Sequence, residues 1–392
     1  MTRKKKILFV FGTRPEAIKM LPIVKEIEKH KDAFDPKVIV TGQHREMLDQ
    51  VLKIFNVVPD YDLKIMEENQ TLSQIVIKSL KGLEDIIKSE KPNMIIVQGD
   101  TTSAFAAGLA AFYHKISLAH VEAGLRTKNK YNPYPEEMNR KLITTLSDLH
   151  FAPTMMATQS LIDEGVNKNN IYLTGNTVID ALGFVVKKQF DLKKAGLNLD
   201  KKKTILVTAH RRESFGEPMR EICRAVKAIA EKFSKKVKMI VPVHKNPKVR
   251  ETVNKMLKGI EEVSLIEPLE YLPFVHLMKA SHFILTDSGG IQEEAPSLGK
   301  PVLVLRENTE RPEAIIANTV KLVGTKAENI VKEAEKLLTE QQEYDKMARA
   351  VNPYGDGQAA KRIVDALLFY YGFSASKPEE FNVEKSLAQK IK

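Results

Sequence analysis

The stretch Phe9–Ile23, FVFGTRPEAIKMLPI, decides how the rest of the chain is read. It continues an apolar run from Ile7 to Phe11, stops at Gly12, and passes through Thr13, Arg14 and Pro15 into a helical pattern. A short, continuous apolar run bounded by a turn signal reads as a strand buried on both faces. Pro15 suits the first helical position, and Gly12 lets the backbone turn tightly. The stretch is therefore a strand handing over to a helix, with an arginine at the junction. A helix N-terminus favours anions. Arg14 is either part of such an anion site or a solvated residue beside an ordinary cap.

Outward from this unit the theme repeats. Further strand candidates are KVIVTG (37–42), MIIVQG (94–99), SLAHVE (117–122), LHFAPT (149–154), TILVTA (204–209), VKMIVPV (237–243), VSLIEP (263–268), HFILTD (282–287) and PVLVL (301–305). Amphipathic segments lie between them, such as 71–90, 101–113, 137–147, 217–234, 247–258, 326–339 and 357–371. Apolar strands alternating with helices predict an α/β fold of parallel sheets covered on both faces. A chain of 392 residues suits two such Rossmann-like, doubly wound domains. The weakly patterned KKQFDLKKAGLNLDKKK, within 176–203, marks the expected join. The helix after Gly357 can return to either unit, and the polar tail from about Ser374 is expected to be mobile.

The formal net charge is +11. Lysine is spread along the chain among glutamates, as on solvated helix faces. Arginine is scarcer and falls mostly at special places: Arg14, Arg45, Arg126, Arg140, Arg211, Arg212, Arg306 and Arg311. That distribution suits small phosphate ligands rather than a nucleic-acid groove. The single cysteine, Cys223, lies in the helical pattern EICRAVKAIAEKF. It excludes an internal disulfide, fits a reducing cytoplasm, and reads as a core thiol rather than a nucleophile. No apolar run approaches the ~20 residues of a membrane helix. The basic start, Arg3–Lys6, precedes a run too short for a signal peptide. No membrane partner is expected.

Ligands of open parallel sheets bind outside the carboxyl ends of the strands, so the strand-end residues carry the functional reading. After MIIVQG come Asp100, Thr101 and Thr102, where Asp100 serves either a ligand or the next helix as a cap. After SLAHV come Glu122, Ala123, Gly124, Leu125 and Arg126. A carboxylate ending a buried strand is hard to explain structurally. YNPYPEEMNRK places Glu136 and Glu137 in a first helical turn, where dipole complementation is the competing account. Glu136 and Arg140, four apart, share a helix face and are placed to pair. TILVTA ends at His210-Arg211-Arg212-Glu213-Ser214, and the next strand is followed by His244. Ser288-Gly289-Gly290 allows backbone amides to approach a phosphate. It is followed by Glu293 and Glu294, then Arg306 and Arg311. G-x-G-x-x-G, a Walker A loop, H-E-x-x-H, paired cysteines and G-x-S-x-G are all absent from the sequence.

FGTRPEAIKM, TGQHREMLDQ, GDTTS, HVEAGLRT, YPEEMNRK, TGNTVIDAL, TAHRRESFG, PVHKNP, LTDSGGIQEEAPSLGKPVLVLRENTERPE and NPYGDGQAA, in this order, resemble the non-hydrolysing UDP-N-acetylglucosamine 2-epimerases. The match runs from about Lys6 to Tyr371. The resemblance implies the two-domain fold of the GT-B glycosyltransferases, with an interdomain active site and the C-terminal helix returning to the first domain. The expected domains are then 1–176 with 357–392, and 177–356. It implies interconversion of UDP-GlcNAc and UDP-ManNAc without NAD or an essential metal, by elimination of UDP to a glycal and re-addition. Asp100, Glu122, Glu136 and His210 match the family's catalytic positions. Arg14 and Lys19 match active-site positions, with Arg14 near the diphosphate. Ser288, Gly289, Gly290 and Glu294 match the UDP site, and Arg311 a further active-site arginine. Gln43, His44, Arg211 and His244 match positions around a second, activating UDP-GlcNAc. Glu46 stands where some relatives carry glutamine, which sets this chain apart at that contact. Family members are commonly homodimers. Other readings are a hydrolysing epimerase releasing free ManNAc and UDP, a catalytically silent UDP-sugar sensor, and a basic nucleic-acid-binding protein. A product assay, a turnover assay and salt-sensitive DNA binding discriminate them.

Overall fold

The structure, a computed structural model, describes residues 4–42, 45–67, 70–199, 201–309 and 311–383. Its contacts divide the chain into two bodies, Met1–Gly183 with Tyr354–Asn382, and Phe184–Pro353 with the stretch from Val383. The sequence-based divisions at 176/177 and 356/357 compare with 183/184 and 353/354 here, the first falling inside the helix Thr177–Val186.

The first body holds seven parallel strands among the described residues. They are β1 (Lys5–Phe11), β2 (Phe34–Val40), β3 (Tyr61–Asp62), β4 (Met94–Gln98), β5 (Ser117–Val121), β6 (Leu149–Ala152) and β7 (Ile171–Leu173), in the order β3-β2-β1-β4-β5-β6-β7. The second holds β8 (Lys203–Thr208), β9 (Val237–Pro242), β10 (Val263–Ile266), β11 (Phe283–Thr286), β12 (Val302–Val304) and β13 (Val320–Leu322), in the order β10-β9-β8-β11-β12-β13. Both sheets thus reverse direction between their first and fourth strands, at β1/β4 and β8/β11. In doubly wound sheets, that reversal is where a ligand crevice opens.

Every residue from Ile7 to Phe11 is fully buried, so β1 has no solvent face. One side of it, Leu8 and Val10, joins Ile95, Val97, Leu83 and Ala107 in one core. The helix Arg14–Ile27 starts on a reciprocal cap. Thr13 accepts from the Glu16 amide, and Glu16 accepts from the Thr13 amide at 2.7 Å. This places Arg14 in the first helical turn. The C-terminal helix, Ala359–Tyr370, packs on Arg14–Ile27 within the first body. The buried Asp180 carboxylate accepts from the amides of Ala359 and Ala360, tying that helix down at its start. Cys223 sits in the core of the second body, where burial pushes its thiol up to about 12.

Three strands were not anticipated: β3, β7 and β13. Each spans two or three residues, too short to carry a period of its own. They form because neighbouring strands present a pairing edge, as β2 does to Tyr61 and Asp62.

Candidate active site

In the first body, the expected residues gather around the β1/β4 reversal. Glu122 follows β5 directly and adopts φ 63, a left-handed conformation unusual for a residue with a side chain. The strained turn continues into Gly124, at φ +91, where a Cβ would lie 2.2 Å from the Ala157 carbonyl oxygen. Only glycine fits there, and the tight turn swings the Glu122 carboxylate over the strand ends. That carboxylate is nearly buried and well held. Lys19 pairs with Oε1, Asn176 donates to Oε1 at 3.0 Å, and Gln98 donates to Oε2. Lys19 reaches it from the helix that Thr13 caps.

Asp100 stands on the neighbouring strand end. Burial pushes its carboxyl above the usual aspartate range and the Glu122 charge adds to this, while the Arg140 guanidinium opposes it. Arg140 Nε donates to Asp100 Oδ2 at 2.8 Å, and Asn139 donates to the Asp100 carbonyl at 2.9 Å. Arg140 does not pair with Glu136, contrary to the helical-spacing expectation. Its other partner is the fully buried Glu137 at 3.1 Å. Glu137 also accepts from the amides of Thr127 and Lys128, each at 3.0 Å. Spacing of four made Glu136 available, but tertiary packing turned the guanidinium toward Asp100 and the buried Glu137. Glu136 is left with its Oε2 buried and without a hydrogen-bond partner among the described residues. Glu16 links the two loops of the reversal: Oε2 accepts from Gly12 and Thr13, and Oε1 from the Thr101 hydroxyl at 2.8 Å.

In the second body, Arg211 and Arg311 flank Gly289. A Cβ there would lie 3.4 Å from an Arg211 nitrogen and 3.5 Å from the Arg311 guanidinium carbon. Arg311 Nε pairs with the buried Glu293 at 2.6 Å, which fixes its direction. Ser288 precedes the helix Gly289–Glu294 as its cap residue, and Gly290 is the second residue of its first turn. Glu294 is oriented by the Tyr271 hydroxyl, donating to Oε2 at 2.9 Å. His210 stacks on His244, with centroids 5.3 Å apart and planes at 14°. Arg211 and His244, expected around an activating ligand, thus adjoin groups expected at the UDP and catalytic positions. Gln43 and His44 lie outside the described residues.

Sequence reasoning missed Glu16, Gln98, Asn176, Tyr271 and Asp287, and it noted Glu137 and Glu293 without their arginine partners. Asp287 had a signal: it ends HFILTD, directly before Ser288, at a strand end like those already read.

Carboxyl groups in unlike surroundings suit proton transfer, and two guanidinium groups beside a Ser-Gly-Gly turn suit a phosphate. On doubly wound sheets, these mark an α/β enzyme of the nucleotide-ligand class. The family model for UDP-N-acetylglucosamine 2-epimerase matches residues 25–368. The UDP-N-acetylglucosamine 2-epimerase of Escherichia coli strain K12 is 54% identical over 370 residues, 92% of this chain and 98% of that protein. Its Bacillus subtilis counterpart is 52% identical over 382 residues, 97% and 99% of the two chains. A crystal structure of the Neisseria meningitidis UDP-GlcNAc 2-epimerase bound to UDP-GlcNAc is similar at a TM-score of 0.86. It is 50% identical, covering 93% of this chain and 99% of the other. The chain belongs to the UDP-N-acetylglucosamine 2-epimerase family.

Among the described residues, no group of three or more potential metal ligands occurs, and no helix is long and apolar enough to cross a membrane.

Proposed function

We propose that this chain interconverts UDP-N-acetylglucosamine and UDP-N-acetylmannosamine without hydrolysis, by elimination and re-addition of UDP. The observation that carries the reading is Glu122, a strained, lysine-paired carboxylate beside Asp100. C2 of the sugar bears an amide nitrogen and adjoins no carbonyl, so its proton is not acidic. It becomes removable when the electrons of the C2–H bond form a C1=C2 bond while the C1–O bond breaks and UDP leaves. UDP oxygen then adds back to C1, and a proton reaches C2 on the opposite face. No water is consumed, and carbon ends at the oxidation level at which it began.

Two faces require more than one acid/base group. In this reading, Glu122, Asp100, Glu136 and His210 supply them. Arg14, Arg311 and the amides of Ser288, Gly289 and Gly290 stabilise the departing diphosphate. Glu294, held by Tyr271, receives ribose hydroxyls. Arg211 and His244, with Gln43 and His44, are proposed to sense a second UDP-GlcNAc. The experiment is turnover of UDP-GlcNAc in D₂O, followed by NMR of the products. Deuterium is expected at C2 of the epimerised sugar. Turnover with protium fully retained at C2 overturns the mechanism, and release of free ManNAc with UDP overturns the non-hydrolysing reading.

A further inference from the structure

Asp287 follows β11 and is fully buried. Its two oxygens are used very differently. Oδ2 accepts from the amides of His210 and Arg211, each at 2.8 Å, and from the Ser214 hydroxyl at 2.9 Å. Oδ1 has no hydrogen-bond partner among the described residues and lies 3.5 Å from His210 Nδ1. An acceptor buried without a donor is costly, and native structures rarely leave one without a use. Holding the turn 209–214 needs only Oδ2.

We propose that Asp287 is the positioning residue for His210. Its Oδ1 accepts a hydrogen bond from Nδ1–H, which fixes the neutral imidazole in the Nδ1–H tautomer and so gives Nε2 the lone pair for proton transfer with substrate. This rests on the epimerase reading for the identity of that substrate. At 3.5 Å the contact is long, and a small ring rotation closes it; such bonds tighten when a ligand is bound. Two features limit the ring to that movement. The backbone of His210 is pinned by the same carboxylate, and His244 stacks on one face of the ring. His244 is itself oriented by the Asn246 amide, which donates to its Nδ1 at 3.1 Å.

The test begins with the wild-type protein labelled with ¹⁵N-histidine, the His210 signals being identified by their loss in His210→Asn. Neutral His210 is expected to carry its proton on Nδ1; a proton on Nε2 overturns the proposal. Asp287→Asn keeps a carbonyl oxygen for the backbone amides and turns an NH₂ toward Nδ1, so the tautomer should invert. With UDP-GlcNAc, kcat should fall roughly 10- to 1,000-fold while KM stays within about threefold. The double variant Asp287→Asn/His210→Asn should be no slower than His210→Asn, because the two act as one unit. Unchanged kcat in folded Asp287→Asn, or losses that multiply in the double variant, overturn the assignment. If Asp287→Asn does not fold, the wild-type tautomer decides alone. Wild-type protein without turnover would sink the epimerase reading, and the tautomer would still decide this one.

Discussion

The two sheets share a strand order and differ in what their reversal points hold. In the first body, the β1/β4 reversal is crowded with charge. Glu122 is held by Lys19, Gln98 and Asn176, Asp100 is tied to Arg140, and Glu16 clasps both loops. In the second body, the β8/β11 reversal holds the fully buried Asp287 behind a stacked pair of histidines, with two arginines flanking a glycine and one of them paired with the buried Glu293. The first gathers mainly paired carboxylates, and the second adds guanidinium groups and histidines around a glycine turn. One topology supports both because the strand order fixes where loops converge, and the loop residues alone decide the chemistry.

The sharpest way to break this comparison is to neutralise one group proposed for proton transfer in each body. Glu122→Gln and His210→Asn preserve size while removing proton-transfer capacity. Each is expected to fold and to lose roughly 10²–10⁴-fold in kcat. Circular dichroism checks the fold and a coupled epimerase assay the rate. Near-normal kcat in either variant removes that residue from the reaction.

The glycines of the two bodies should separate next. Gly124→Ala forces a methyl into the Ala157 carbonyl at a φ of +91, so it should cost at least about 3 kcal/mol. Gly289→Ala meets only guanidinium groups at ordinary contact distance and should change stability by less than about 1 kcal/mol. Its effect should instead appear as UDP binding weakened by roughly tenfold, equivalent to about 1.4 kcal/mol. Thermal unfolding and UDP titration distinguish the two. Equal destabilisation by both would erase the distinction between a strained turn and a ligand-facing one.

A smaller difference lies in acid. His120 and His150 face each other across β5 and β6, and burial lowers them to about 3 and about 4. Because the folded values lie below the ordinary 6.5, the unfolded chain takes up protons first. The stability they contribute is complete above pH 6.5 and is lost as pH falls through the interval down to about 3. Melting temperature should decline between pH 6.5 and 4, and His120→Gln should flatten the decline, by at most about 1.4 kcal/mol per pH unit. An unchanged slope in that variant would show that His120 does not drive it.

The smallest expected effect belongs to Cys223, buried in the second core with a thiol pushed up to about 12. It should stay unmodified by a thiol reagent in native buffer and react only on unfolding. Rapid native labelling would show that this core opens.

Much of this was readable without coordinates, because it rests on local rules. Apolar runs too short for helices, a proline at a first helical turn and glycine turns at strand ends follow from backbone sterics and periods of two and 3.6 residues. They placed the strand-end candidates Arg14, Asp100, Glu122, His210 and Ser288 correctly at the carboxyl ends of their strands. What only the tertiary structure decided is how charges were shared among them. Arg140 had Glu136 four residues away and chose Asp100, forty residues away, together with Glu137. Glu122 recruited Lys19, Gln98 and Asn176 from three separate segments. Asp287 turned one oxygen to the backbone and the other toward His210. Pairing energies of buried charges depend on distance and desolvation, and both are properties of the packed chain with no counterpart in residue spacing.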